Sequence, residues 1–165
     1  MKCCYLNLSS SLVPNLVAGA LQYFISGEKV RCSEVKEGLY IGQSKQMTVE
    51  VKEEMVAQFN GEVIHPVYST ASMVYHMEWV SRQLLIPYLE QDEEGMGAAV
   101  SVEHIAPSGV GTTIHLEATV IEVSKRELLT KVYVTNEHGR IGKGKVKQVV
   151  LPKEVIQEKV RIATK

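Results

Sequence analysis

One long segment of the sequence has the periodicity of a helix, and the segments after it have the periodicity of strands. Between residues 65 and 90, apolar side chains recur with the spacing of one helix face, at Met73, Met77, Val80, Leu84 and Tyr88. A hydroxyl at Ser69 or Thr70 can cap the start, because its oxygen accepts from the free amides of the first turn. Pro87 ends or kinks the segment. The pattern predicts one long helix with a wide apolar face to bury.

Strand patterns follow this helix. In residues 112–123 the side chains alternate cleanly, with one apolar face made of Ile114, Leu116, Ala118 and Val120. Further strand patterns cover residues 96–109, 128–135 and 141–151, and the short turns between them favour antiparallel pairing. Before the helix, residues 40–51 predict a strand and residues 52–59 a short helical turn. This order predicts an α+β fold, in which one long helix packs on a curved antiparallel sheet of about five strands.

The composition fits a globular domain with a nearly neutral surface. The chain has 165 residues, of which 45% are hydrophobic, and this is enough for one packed core. Its 18 basic and 19 acidic residues give a net charge of −1, without a basic block to attract nucleic acid or a membrane surface. Aromatic residues make up 6%, too few for a platform that stacks bases. We therefore expect neither nucleic acid nor a membrane among the partners.

Residues 1–36 differ from the rest, and we expect an N-terminal extension there, with the main domain over residues 37–165. The stretch LVPNLVAGALQYFISG is apolar and uncharged, but it is too short and too interrupted to span a bilayer. A signal peptide is the less favoured interpretation, because the basic start is weak and no clear cleavage motif follows. The cysteines, Cys3, Cys4 and Cys32, lack paired metal-ligand spacing, so we expect a reducing, cytoplasmic setting and no metal.

Two polar residues of the helix are candidates for chemistry. A carboxylate at Glu78, between Met77 and Trp79, needs a partner if it is buried. A solvated pair with Arg82 is the alternative, and periodicity alone favours it. Thr70 lies eight residues earlier, about 12 Å along the helix axis, and Glu78 leans back toward it. The gap between them has room for a histidine ring or a substrate group.

His104 is the histidine that could fill that gap. It shares a strand face with Val100 and Val102, where a core histidine bonded to a backbone carbonyl is the commoner explanation. A histidine that reaches a helix carboxylate would instead be a candidate general base. Gly97, on the same strand, lets a bound carbonyl approach the backbone closely. His76 is expected to serve packing or a subunit contact.

Motifs of several competing chemistries are absent from the sequence. It contains no nucleophile elbow, no dinucleotide-binding glycine fingerprint and no Walker A sequence. The stretch GRIGKGK, residues 139–145, lies on a strand pattern without a following helix, so a solvated strand is the better interpretation than a phosphate loop. The five histidines show no metal-ligand spacing.

Three stretches of the sequence, taken together, resemble the fluoroacetyl-CoA thioesterase-like group of the hot-dog fold thioesterase superfamily. They are YSTASMVYHMEWVSRQLLIPYLE, GMGAAVSVEHIAPSGVGTTIHLEATV and NEHGRIGKGKVKQVVLPKE, and the resemblance extends over about residues 38–159. It implies a hot-dog fold, a homodimer, and hydrolysis of an acyl-CoA thioester. By position it implies that Thr70, Glu78 and His104 are catalytic and that the Gly97 amide binds the thioester carbonyl.

Two positions depart from the fluoroacetyl-specific pattern. That pattern has an arginine late in the last strand, where this chain has Gln148, and an aromatic gate before the helix, where this chain has Ile64. We expect Gln148 and Ile64 to bind the substrate. Because both differ from the fluoroacetyl-specific pattern, we expect that substrate to be a small or medium acyl-CoA other than fluoroacetyl-CoA. CoA would enter as part of the substrate, with no separate cofactor. The alternatives are a non-catalytic hot-dog module that binds acyl-CoA and, with less support, a hydratase. The sequence does not decide between an acyl-threonine intermediate and direct attack by water.

Overall fold

The computed structural model describes residues 24–25, 28–29 and 35–164. Contacts divide the chain into residues 1–32 and residues 33–165. In the first unit, strand β1 (Phe24–Ile25) pairs antiparallel with strand β2 (Glu28–Lys29). Most of the extension expected over residues 1–36, including its cysteines, lies outside the described residues.

The second unit contains one long helix and a five-stranded antiparallel sheet. In chain order its elements are β3 (Ser44–Glu50), β4 (Val56–Phe59), β5 (Glu62–Tyr68), α1 (Thr70–Leu85), β6 (Glu93–His104), β7 (Thr113–Val123), β8 (Glu127–Asn136), β9 (Gly139–Pro152) and α2 (Lys153–Ala163). The sheet order is β3-β7-β8-β9-β6, so β3 and β6 are its edge strands. The predicted α+β architecture is confirmed, with one long helix, α1, packed on a sheet of five strands.

Helix α1 buries the face that its periodicity predicts. Ser69 is the N-cap and its hydroxyl oxygen accepts from the Ser72 amide at 3.0 Å, so the cap lies one residue before Thr70. The buried helix side chains include Met73, Met77, Val80 and Leu84, and they face the alternating residues Ile114, Leu116, Ala118 and Val120 of β7, all at most 3% exposed. Each of the valine, leucine, isoleucine and methionine side chains among them contributes about 1.5–3 kcal/mol when it leaves water. At its other end the helix passes into a 3-10 turn, Ile86–Tyr88, that contains Pro87.

Two glycines of β9 bring the helix close to the sheet. A Cβ at Gly142 would lie 2.5 Å from Met73 Sδ, and one at Gly144 would lie 2.6 Å from Met77 Cε. A side chain at Gly142 would displace the end of Met73, and one at Gly144 would also collide with the backbone carbonyl of Ser101 on β6. The glycines of GRIGKGK therefore make room for helix side chains, which agrees with the strand interpretation of this stretch.

The predicted helical turn over residues 52–59 was wrong for most of its length. A single 3-10 turn, Glu53–Met55, leads directly into β4, which pairs with β5 as a hairpin. Asn60 and Gly61 join the strands with φ of 52° and 83°, the positive values that two-residue hairpin turns require. The Asn-Gly pair therefore favours a hairpin over a helical turn in this segment. Strand β5 continues to Tyr68, immediately before the helix cap Ser69.

Candidate active site

The hydroxyl of Thr70 faces the imidazole of His104. Thr70 is the first residue of α1 and is exposed, and His104 is the last residue of β6 and is half-buried. Thr70 Oγ1 lies 3.0 Å from His104 Nδ1. The helix start and the end of an edge strand thus bring together two residues that are 34 positions apart.

A second hydrogen bond fixes the direction of the first. His104 Nε2 lies 3.1 Å from the carbonyl oxygen of Ala106, and a carbonyl oxygen only accepts. Nε2 therefore carries the ring proton, and in the neutral ring Nδ1 is the acceptor. It follows that the Thr70 hydroxyl donates to His104 Nδ1. A hydroxyl that donates to an oriented imidazole is the arrangement of a nucleophile beside its general base.

Glu78 lies further along α1 with its carboxylate against Gly97. A Cβ at Gly97 would lie 3.0 Å from Glu78 Cδ and would overlap Glu78 Oε1. Gly97 lies on the edge strand β6, at an irregularity of its pairing with β9 that falls before Ala99. A substrate carbonyl at this edge would therefore meet backbone on one side and the carboxylate on the other.

The structure gives Glu78 neither of the partners considered for it. Both ring nitrogens of His104 are occupied by Thr70 and Ala106, so the expected contact that would let Glu78 orient the ring is not formed. Arg82, the surface alternative, instead bonds Glu94 Oε1 at 2.7 Å and the Gly95 carbonyl at 2.8 Å. Within the part of the chain that the structure describes, the half-buried Glu78 carboxylate has no hydrogen bond.

Gln148 and Ile64 occupy different surroundings. Gln148 lies on β9 directly opposite Gly97 of β6 and is 1% exposed. Its Nε2 lies 3.4 Å from the Glu78 carbonyl, while its Oε1 is buried and has no partner among the described residues. Ile64 lies on β5 of the hairpin, outside the core cluster, and is 48% exposed. The structure thus places Gln148 beside Glu78 and Gly97, and leaves Ile64 on the surface.

Tyr68 and His76 form a buried pair that the sequence analysis did not assign to the site. Tyr68 Oη lies 2.7 Å from His76 Nδ1, and the two residues are 0% and 7% exposed. Burial lowers the pKa of His76, and a hydrogen bond to the Ser72 backbone only partly opposes this. Burial also raises the pKa of the Tyr68 phenol. The one sequence signal for the pair is that His76 falls on the buried helix face, three residues after Met73.

Among the described residues, no cluster of three or more histidine, cysteine, aspartate or glutamate side chains could hold a metal ion. No helix in the described ranges has the length and apolar character needed to cross a membrane.

The fold and the site together define a hot-dog thioesterase, a thioester hydrolase. The chain belongs to the fluoroacetyl-CoA-specific thioesterase family (FlK), whose sequence profile matches residues 51–154. That range includes all of the site residues described above.

Relatives and solved structures agree with this assignment. The chain is 34% identical over 98 residues to a fluoroacetyl-CoA thioesterase of Streptantibioticus cattleyicolor. The matched residues cover 59% of this chain and 70% of the relative. A Thermus thermophilus hypothetical protein, described as a thioesterase superfamily member, superposes with a TM-score of 0.74 at 32% identity over 78% of this chain and 95% of its own. A threonine-to-serine variant of FlK in complex with acetyl-CoA gives a TM-score of 0.72 at 26% identity over 76% and 99%.

Proposed function

We propose that the protein is an acyl-CoA thioesterase that hydrolyses a small or medium acyl-CoA to the free acid and CoA. The observation that carries this proposal is the Thr70 hydroxyl that donates to the oriented His104 imidazole at 3.0 Å. The match to FlK and the acetyl-CoA complex of its variant support acyl-CoA as the substrate class.

In the route that this hydrogen bond favours, Thr70 is the nucleophile. Its hydroxyl proton passes to His104 Nδ1 while Oγ1 attacks the thioester carbonyl carbon. The carbonyl oxygen becomes an oxyanion near the Gly97 backbone, the C–S bond breaks, and the imidazolium gives its proton to the leaving CoA thiolate. Water then attacks the acyl-threonine ester, His104 takes its proton, and the acid leaves as Thr70 recovers its hydroxyl. No cofactor is needed.

Glu78 acts on the side of the site next to Gly97. Its carboxylate has no protein hydrogen bond among the described residues and lies against Gly97, beside the proposed place of the thioester carbonyl. We assign it to hold and orient the water of the second step by accepting a hydrogen bond from it, while His104 takes the proton. Direct attack of that water on the thioester, without an acyl-threonine, is the alternative route, and both routes use Glu78 and His104.

The substituted positions argue against fluoroacetyl-CoA as the substrate. Gln148 is neutral and buried beside Glu78, where the fluoroacetyl-specific pattern has an arginine. Ile64 is aliphatic and exposed at the place of the aromatic gate. A neutral side chain and an aliphatic one fit an uncharged alkyl or short polar acyl group.

A homodimer is part of the proposal. Strand β6 is an edge, so half of its backbone amides and carbonyls have no partner strand among the described residues. Large apolar side chains are exposed along it and on α1: Met96, Val100, Tyr75 and Trp79. Pairing β6 with β6 of a second copy would satisfy the edge and cover these side chains. A cytoplasmic location stays a prediction.

Release of CoA thiol from a panel of short and medium acyl-CoAs tests the proposed activity. We expect turnover by the wild type, and a loss of about 100-fold or more in kcat/KM for His104→Ala and Glu78→Gln. The matched control is His115→Ala, because His115 Nδ1 bonds Thr48 Oγ1 at 3.1 Å on the exposed face of the sheet, and so repeats the same pair away from the site. Tight acyl-CoA binding without turnover would instead support the non-catalytic module.

A further inference from the structure

Tyr68 lies between two imidazole rings at the base of the site. Its ring centroid is 5.9 Å from that of His76 with an interplanar angle of 16°, so the two rings are stacked. The same ring lies 6.4 Å from the His104 ring at 69°, an edge-to-face contact. Tyr68 therefore contacts the proposed base directly, and His76 contacts it only through Tyr68.

Two hydrogen bonds of Tyr68 and one of its neighbour Ser69 hold it in place. Its hydroxyl and His76 Nδ1 form a 2.7 Å hydrogen bond in a buried place, where breaking it would leave the Tyr68 hydroxyl without its partner. Its backbone amide donates to the Ser108 carbonyl at 2.7 Å, in the loop that follows Ala106. The next residue, Ser69, donates its amide to the Met55 carbonyl at 2.9 Å. Neither the ring nor the backbone of Tyr68 can shift without breaking one of these bonds.

The position of Tyr68 connects both members of the proposed catalytic pair. Along the chain it precedes Thr70 by two residues, and across the site its ring packs against His104. Two hydrogen bonds orient the His104 nitrogens, but small rotations about the side-chain torsions of His104 can still swing the ring. A fixed aromatic edge against the ring removes that freedom, and a misplacement of about 1 Å at a reacting group can cost about 100-fold in rate.

We infer that Tyr68 is a positioning residue that fixes the His104 imidazole, and that His76 acts through Tyr68 by holding its hydroxyl. The inference rests on the proposed function in one respect: it assumes that His104 is the base. It adds two residues to the site that do not touch the reacting atoms, and it gives His76 a role other than packing.

Three single variants and one double variant test this. Tyr68→Phe keeps the ring and removes the hydroxyl, and His76→Leu removes the partner. His76→Asn keeps a polar atom near the place of Nδ1. We expect Tyr68→Phe and His76→Leu each to lower kcat about tenfold with little change in KM. The double variant that combines these two substitutions should be no worse than either single variant, because both break the same bond. His76→Asn should recover most of kcat.

The control is Tyr40→Phe. Tyr40 lies before β3, outside the site and the proposed dimer surface, and its side chain is 64% exposed, so its hydroxyl is in water. It should keep wild-type kcat. Thermal unfolding of each variant shows that the comparison is made between folded proteins.

A second measurement does not depend on turnover. The nitrogen-15 chemical shifts of the His104 ring report which nitrogen carries the proton, and the wild type should show the Nε2–H tautomer. His76→Leu and Tyr68→Phe should shift or broaden these signals, and His76→Asn should not. If the wild type hydrolyses acyl-CoAs while the variants keep both kcat and the His104 signals, the inference is wrong and the proposed function stands. If the wild type hydrolyses none, the proposed function fails, and unchanged His104 signals in His76→Leu would overturn the inference separately.

Discussion

The carboxylate of Glu78 lies so close to Gly97 that no side chain fits between the helix and the edge strand. A Cβ at Gly97 would overlap Glu78 Oε1, and the atom it would meet is the far end of a flexible side chain. The carboxylate can therefore move away without unfolding the protein. A substitution at this glycine should separate the effect on catalysis from the effect on stability.

We predict that Gly97→Ala lowers kcat/KM by about 100-fold and changes the melting temperature little, because it displaces Glu78 and crowds the place of the thioester carbonyl. Steady-state thiol release and thermal unfolding check this. Gly109→Ala is the control, since a Cβ at Gly109 meets nothing within 4 Å. A Gly97→Ala enzyme with wild-type activity would show that the Glu78 position does not matter for the reaction.

Thr70 separates the two routes of hydrolysis. We predict that Thr70→Val, which keeps the shape and removes the hydroxyl, lowers kcat by about 100-fold or more, while Thr70→Ser keeps a hydroxyl for His104 and loses much less. Rapid acid quench followed by mass spectrometry should find the acyl group on a peptide that contains Thr70. A Thr70→Val enzyme that keeps most of its kcat would favour direct attack by water.

His76 should make the stability of the protein depend on pH. Burial lowers its pKa in the folded state below the ordinary value near 6.5, so the unfolded chain takes up a proton first as the pH falls. The stabilisation from neutral His76 is complete above about pH 6.5 and is lost as the pH falls from there toward the lowered folded-state pKa.

We predict that the free energy of unfolding, measured with urea at about pH 7.5 and about pH 5.5, falls less in His76→Leu than in the wild type. His138→Gln is the control, because the His138 side chain is 81% exposed and its loss removes an imidazole that is already in water. Equal decreases in the wild type and His76→Leu would contradict the prediction.

The sequence predicted the parts of the fold that periodicity controls. The spacing of Met73, Met77 and Val80 predicts the buried face of α1, and the alternation from Ile114 to Val120 predicts the inner face of β7. Both are properties of a single element. The hairpin of β4 and β5 was missed because residues 52–59 were interpreted as a short helical turn, although the Asn60-Gly61 pair that follows favours a two-residue strand turn.

The contacts of the site depend on several elements at once, and the sequence predicted them less completely. The meeting of Thr70 and His104 requires the start of α1 to lie beside the end of an edge strand, and the resemblance to a known family pointed to both residues. The Ala106 carbonyl, which bonds His104 Nε2 and so leaves neither ring nitrogen for Glu78, lies two residues after His104 in the loop that follows β6. The Tyr68–His76 bond joins a strand end to a helix position eight residues later, and no period relates them.

The edge strand supplies the last prediction. Met96 and Val100 lie on β6 and are each 37% exposed, and Trp79 of α1 is 40% exposed. If two copies pair through β6, a charge placed there meets its own copy across the two-fold axis and repels it. We expect light scattering after size exclusion to give about twice the chain mass of 18.3 kDa for the wild type, and a shift toward the monomer for Val100→Glu.

Ile162→Lys is the control, because Ile162 is 61% exposed on α2, away from the β6 strand. It should keep the wild-type mass. Since Gly97 and Glu78 lie at the same edge, we also expect the Val100→Glu variant to lose thioesterase activity when it loses the partner copy. Dimer and activity should then return together as the protein concentration rises. A wild type that stays monomeric at micromolar concentration with full activity would contradict the dimer, and the site would then be complete within one chain.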